Sequence, residues 1–305
     1  MHNGIPLLIH KASEIVLDKT RQIQLALACL LAGGHLLIED VPGVGKTTLA
    51  QTLAKLLGLE FQRIQCTNDL LPGDILGVSV FEQTTERFVF HPGPIFAQTV
   101  LIDEVNRATP KTQSGLLEAM AEGQVSQDRR VHPLPKPFFV IATQNPREQS
   151  GTYPLPQSQL DRFLMRISLG YPSREAELNL LQGLDRRELL QEVQPVLTAD
   201  DVMAMQSQVT SLRASSALLA YIQDLLRVTR EEMHYERGLS PRAGLALLHT
   251  ARSWAYLQER DFVLPEDVQA VLPHVVGHRL RPNAGLHSSE DQRHCEELLA
   301  NVPVP

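Results

Sequence analysis

Cysteine is scarce: Cys29, Cys66 and Cys295 are the only three in 305 residues. Their number is odd, their spacings are unrelated and no CxxC pair occurs, so a disulfide framework is not expected and they read as reduced thiols of a cytosolic protein. Positive charge is also short. Against 28 Lys and Arg stand 35 Asp and Glu, a formal net charge of −7. That balance argues against nucleic-acid or anionic-membrane binding by the whole surface, while leaving room for a local basic patch. No apolar run is long enough to span a bilayer: the most apolar window, residues 25–38, is broken by Gly33, Gly34 and His35, short of the ~18 uninterrupted residues required. The first residues, MHNGIPLLIHKASEIV, lack a basic region ahead of a long apolar stretch, so no secretory signal is expected. Tandem repeats and low-complexity tracts are missing too. What is left is an ordinary globular composition, 43% hydrophobic, long enough for about two domains and a large core. A soluble, cytoplasmic protein is expected.

The chain changes character once. Residues 13–32 place Ile15, Val16, Ile23, Ala26, Leu27, Leu30 and Leu31 on one helical stripe, stopped by Gly33-Gly34. A short buried strand, HLLIE (35–39), leads through DVPGVGKTT into a helix that runs to Leu57. Further strands are expected at 61–65, 100–102, 138–142 and 164–169, with a proline-opened helix at 110–121. Two β-prone runs about polar turns predict hairpins at 78–90 and 124–137. Beyond Gly170-Tyr171-Pro172 the pattern is helical, at 173–184, 199–208, 215–234, 241–257 and 265–273, with a loose polar tail from Pro282. Alternating strands and helices followed by helices alone predict a parallel α/β domain, 1–170, and an α-helical domain, 171–305.

Three strand ends carry chemistry. In Asp40-Val41-Pro42-Gly43-Val44-Gly45-Lys46-Thr47-Thr48, small residues allow backbone N–H groups to turn inward toward a phosphate. Lys46 then serves the terminal phosphates, and the Thr47 hydroxyl a Mg²⁺ ion. The loop departs from GxxxxGK[ST] at its first position, where Asp40 replaces glycine. The apolar strand Val100-Leu101-Ile102 delivers Asp103, suited to hold Mg²⁺ through water, and Glu104, suited to orient or deprotonate an attacking water. Asn145 closes the strand at 138–142 and is placed to hydrogen-bond a γ-phosphate or that water; before Pro146 it also suits a plain turn.

Together, DVPGVGKTT, VLIDEVNRATPKTQSGLLEAM, FFVIATQNP, LPQSQLDRFLMR and LSPRA resemble an AAA+ ATPase of the MoxR family, over roughly residues 13–281. The resemblance implies an AAA+ P-loop NTPase core with a parallel sheet and hairpin inserts, followed by an all-α lid. It makes residues 40–48 the Walker A loop, Asp103-Glu104 Walker B, Asn145 sensor 1, Arg162 the arginine finger and Arg242 sensor 2. The implied activity is Mg²⁺-dependent ATP hydrolysis in a homo-oligomer, a hexameric ring, that remodels or matures protein clients. A von Willebrand factor A domain partner is implied as well, with metal-cofactor insertion among the tasks. A magnesium-chelatase-type subunit and a motor on DNA are the alternatives; the acidic balance disfavours the latter.

Other signals are weaker. Arg107 is a second interface candidate, and the resemblance implies that residues 15–19 lie near the adenine, without a specific assignment. His274 and His278 are four apart, as zinc ligands are on a helix, but also suit ordinary packing. His287, His294 and Cys295 lack metal spacing. The doublets Arg129-Arg130 and Arg186-Arg187 read as solvated, and Trp254 as core.

Overall fold

The computed structural model describes residues 4–84, 86–145, 151–183, 186–231, 235–282 and 291–304. Two helices, α1 (Gly4–Ile15) and α2 (Thr20–Leu31), precede β1 (Leu36–Glu39), the glycine-rich loop and α3 (Lys46–Leu56). β2 (Phe61–Gln65) and α4 (Pro72–Leu76) lead to a hairpin, β3 (Gly77–Glu82) and β4 (Arg87–Pro92). β5 (Thr99–Asp103), a 3₁₀ turn (Val105–Arg107) and α5 (Pro110–Glu122) lead to a second hairpin, β6 (Gln124–Gln127) and β7 (Arg130–Pro133). β8 (Phe139–Gln144), α6 (Gln157–Leu160) and β9 (Met165–Ile167) complete this half. Then come α7 (Arg174–Gln182), α8 (Arg186–Glu192), α9 (Ala199–Ser211) and α10 (Ser216–Glu231). The chain ends with β10 (Tyr235–Arg237), α11 (Pro241–Leu257), α12 (Pro265–Val276), β11 (Arg281–Pro282) and α13 (Asp291–Asn301).

Five parallel strands form the central sheet in the order β2-β5-β8-β1-β9. Successive side chains of a strand point to opposite faces, and the two cores follow that alternation. Leu36, Ile38, Leu101, Phe139 and Ile141 face a core shared with α1–α3 and the C-terminal helices. Leu37, Val100, Ile102, Val140 and Ala142 face a second core with α5 and Phe163. Both faces being covered explains why these strands read as continuous apolar runs.

Both hairpins form where the sequence places them, the second turning through Asp128 and Arg129 at positive φ. The helix expected at 13–32 is a correction: it is two helices. Asp18 takes a positive φ of 59° between them, and its carboxylate accepts from the backbone N–H of Ser173 at 2.9 Å. Lys19 donates to the Tyr171 carbonyl at 3.0 Å, so contacts more than 150 residues away hold this break open. The tail is likewise more ordered than its polarity suggests: α13 buries Cys295 and Leu298. Among the described residues no helix is long and apolar enough to cross a membrane.

Candidate functional site

The glycine-rich loop leaves the C-terminal end of β1, a strand inside the sheet. Gly43 and Gly45 have φ of 85° and 95°, a region that L side chains rarely adopt. A Cβ at either would meet nothing within 4 Å, so conformation and not space requires glycine here. Val44 anchors the loop in the core while Pro42 and Gly43 stay exposed. Gly45 caps α3, so Lys46, Thr47 and Thr48 form its first turn, where backbone N–H groups lack intrahelical partners and favour an anion. Lys46 Nζ donates to the carbonyls of Asp40 at 2.7 Å and Val41 at 3.2 Å. Burial lowers its pKa, opposed by the charges of Asp40, Asp103 and Glu104, which places both acids of the β5 end within its field.

Asp40, the departure from the glycine pattern, has a structural role. One carboxylate oxygen accepts from the Val41 N–H at 2.8 Å. The other accepts from the Ser168 hydroxyl (2.8 Å) and from the N–H groups of Leu169 (2.7 Å) and Gly170 (2.6 Å). Burial alone raises its pKa, yet these bonds together hold it below the ordinary value. The loop is thereby tied to the segment leading from β9 to α7.

At the end of β5, Asp103 is nearly buried and Glu104 turns into the left-handed region at φ 55°, ψ 51°. That conformation costs roughly 1 kcal/mol in a non-glycine residue and redirects the glutamate at the strand end. Thr143 of β8 bridges the pair: its hydroxyl donates to Asp103 Oδ1 at 2.6 Å and accepts from the Glu104 N–H at 2.9 Å. Asp103 Oδ2 accepts from Arg63 at 2.6 Å. Glu104 Oε2 is 2.9 Å from Arg107 Nε and accepts from the Gln65 amide at 3.2 Å. A cleft of about 680 Å³ opens beside this end over β2, bounded by Thr47, Gln51, Lys55 and Arg63. Asn145 directly follows β8, half-buried, and β8 lies between β5 and β1. Loop, acidic pair and amide are thus at the same end of three adjacent strands.

The two expected arginines come from other elements. Arg162, between α6 and β9, donates to the Leu117 carbonyl at 2.7 Å. Its neighbour Asp161 pairs not with it but with Arg279, at 2.7 Å, from beyond α12. Arg242 is exposed in the first turn of α11, where the Ser240 hydroxyl caps the helix and Pro241 opens it. Arg107, read as an interface candidate, is engaged by Glu104 of its own chain. Residues 15–19 form the α1–α2 joint against 171–173.

The metal reading of His274 and His278 gains no support: among the described residues no cluster of three or more His, Cys, Asp or Glu could hold an ion. Burial pushes His274 down to about 4, and lowers His278 well below its ordinary value; their rings reach the backbone of Arg166 and Phe163. His287 lies outside the described residues. Trp254 is core, with the Arg21 guanidinium 3.9 Å from its ring centroid. Arg129 and Arg130 are exposed, and Arg186 donates to the Glu14 carbonyl. Thr143, Arg63, Gln65 and Arg279 were not foreseen. Only Thr143 carried a signal, as the first polar residue ending an apolar strand.

The model of the ATPase family associated with various cellular activities (AAA) matches residues 35–165, and an AAA lid domain model matches residues 227–298. A protein of Cytophaga hutchinsonii proposed to be an ATPase has a crystal structure that superposes with a TM-score of 0.90 at 36% identity, over 99% of this chain and 95% of that one. A full-length MCM homolog from Methanopyrus kandleri shares the fold, with a TM-score of 0.61 at 18% identity over 90% of this chain and 58% of that one. Chaperone MoxR1 of Mycobacterium tuberculosis is 39% identical over 89% of this chain and 74% of its own length. Protein MoxR of Paracoccus denitrificans is 34% identical over 95% and 93%. YeaC, an uncharacterized protein of Bacillus subtilis, is 43% identical over 97% and 93%. With this degree of identity along nearly its whole length, the chain belongs to the MoxR family of AAA+ ATPases.

Proposed function

We propose that this chain binds ATP at residues 42–48 and hydrolyses it with water activated by Glu104, in a ring whose subunits complete one another's sites. The observation that carries the reading is the convergence of the loop, Asp103-Glu104 and Asn145 at one end of β1, β5 and β8. In open parallel sheets, ligands bind outside the carboxyl ends of the strands. Lys46 and the first-turn N–H groups of α3 take the phosphates, Glu104 orients and deprotonates the water, and Asn145 holds the water or the γ-phosphate. Thr143 fixes Asp103 and Glu104 relative to each other. Mg²⁺ suits the donor set, because Thr47 and Asp103 offer hard oxygens beside the phosphates. When bound, the ion neutralises charge on the transferred phosphoryl.

Arg162 acts on the neighbouring subunit's phosphates, and Arg242 senses ATP from the helical domain, taken as 171–305 after a core of 1–170. A hexamer is the assembly. The relative named chaperone MoxR1 favours protein clients and a chaperone-like role; a von Willebrand factor A domain partner, with metal-cofactor insertion as one such task, completes the proposal. Lys46→Ala is expected to abolish ATP binding and Glu104→Gln to keep binding while losing turnover. Arg162→Ala subunits mixed with Lys46→Ala subunits should regain activity, because one mixed interface joins an intact loop to an intact arginine. Activity that stays constant on dilution to monomers would overturn the shared site.

A further inference from the structure

The C-terminal helices reach back to the segment bearing Arg162, and one side chain makes most of the hydrogen bonds. Arg279 follows α12, is 6% exposed, and is pinned by the chain on both sides of Arg162. Its Nε donates to Asp161 Oδ1 at 2.7 Å. Nη1 donates to the carbonyls of Leu164, at 3.1 Å, and Val275; Nη2 donates to the carbonyls of Asp161, at 3.3 Å, and Phe163, at 2.8 Å. A guanidinium has five N–H donors in a rigid fork. All of them are matched here: one from Nε, two from Nη1 and two from Nη2.

Four of those five bonds go to residues 161, 163 and 164, bracketing position 162. The same segment is gripped once more, and so is α6 just before it. The His278 ring lies 3.1 Å from the Phe163 carbonyl, and the Gln157 amide donates to the His278 carbonyl at 2.7 Å. Arg242 belongs to this neighbourhood, since its charge acts on Arg279. The Arg162 side chain donates to a single carbonyl of α5, that of Leu117, and its backbone N–H to the Gln159 carbonyl at 3.1 Å. The backbone N–H groups of 161–164 bond to α6 and His35, while the carbonyls of 161, 163 and 164 and the Asp161 carboxylate are held by the helical region of the same chain.

We propose that Arg279 is a positioning residue: it clamps residues 161–164 to the helical region, so the state of that region in one subunit sets how Arg162 is presented to the neighbour's site. The proposal rests on the reading of Arg162 as an arginine given to a neighbour. It adds a direction: damage at Arg279 shows in the adjacent subunit's turnover and leaves the damaged subunit's own nucleotide binding intact. A purely structural arginine would instead lower stability and impair both sides alike.

The test is Arg279→Lys in the full chain, with assembly verified. Lysine keeps the charge but offers three donors on a flexible stem, so the fork is lost. Turnover should fall about 10- to 100-fold, the scale of a displacement near 1 Å in a reacting group, with the Kd for a fluorescent ATP analogue unchanged within about two-fold. Mixed with Lys46→Ala subunits, Arg279→Lys subunits should regain activity as Arg162→Ala subunits do. Mixed with Arg162→Ala subunits they should not, since neither partner presents a sound arginine. The opposite pattern, rescue in both mixtures or in neither, or wild-type turnover of Arg279→Lys, overturns the proposal. Wild-type turnover of Arg162→Ala overturns the underlying reading instead, so the two failures are distinct. If Arg279→Lys does not fold, Asp161→Asn replaces it: this partly exposed partner should give the same mixing pattern with a smaller, few-fold loss.

Discussion

Two parts of this molecule are held in shape by opposite means. The loop 40–48 is built from nine consecutive residues, and its special backbone comes from Gly43 and Gly45. The clamp on residues 161–164 is made by Arg279, 115 to 118 positions away, and none of its residues is unusual on its own. The first is encoded by local conformational preference, the second by distant partners whose donors and acceptors happen to match. Local encoding can be recognised in a chain; matching at a distance exists only once the chain has folded.

The comparison is tested most severely at the locally encoded end. Glu104→Gln should lower ATP turnover by about 10²–10⁴, the usual contribution of a positioned general base, while ATP binding persists. Phosphate release against an equilibrium binding assay checks it. Turnover near wild type would leave the acidic strand end without a catalytic role.

Acid should separate the two regions. His35 and His274 are pushed down to about 4 by burial, and His278 is lowered as well. The unfolded chain takes up these protons first, near pH 6.5, so stability should fall as the pH drops from 6.5 toward 4 and be level above about 7. Each of the first two rings contributes on the order of 3 kcal/mol over that window. His274 and His278 contact residues 163–166, so hydrogen exchange at pH 5 should open that clamp first. Asp40 gives its stabilisation above pH 3.8 and loses it only as the pH falls through its lowered pKa, so the loop should keep its protection longer. Loss of protection in both regions at one pH would remove the distinction.

Asp40→Gly restores the commoner loop pattern and should nevertheless destabilise the protein by about 1–3 kcal/mol. It strips the buried N–H of Leu169 and the partly buried N–H of Gly170 of their acceptor. Denaturant unfolding measures this directly, and a neutral or stabilising result would mean that the tie to residues 168–170 is dispensable. The smallest effect is expected at Arg63, whose guanidinium is about half exposed. It pairs with one oxygen of Asp103, the carboxylate proposed to hold Mg²⁺. Arg63→Ala should therefore lower the Mg²⁺ concentration for half-maximal ATPase by no more than about five-fold, in keeping with an exposed ion pair.

Much of the architecture could be read because its causes are short-ranged. Strands buried on both faces show as VLI and FVIA runs, proline and capping hydroxyls open α5 and α11, and glycines mark the phosphate loop. Asp103, Glu104 and Asn145 could be read as strand ends for the same reason. The split between α1 and α2 could not, since Asp18 and Lys19 are held by Ser173 and Tyr171. Nor could the partners of the acidic pair: Arg63 and Gln65 come from β2 and Thr143 from β8, on either side of β5.

The sequence by itself determined the alternation of strands and helices, the backbone of the phosphate loop and the chemical groups at the strand ends, because each depends on neighbours a few residues apart. Only the tertiary structure decided that Asp40 ties the loop to the exit from β9, that Thr143 bridges Asp103 and Glu104, and that Asp161 pairs with Arg279 rather than Arg162. Those are hydrogen bonds between groups brought together by sheet order and helix packing. Their geometry is a property of the folded chain, not of any segment within it.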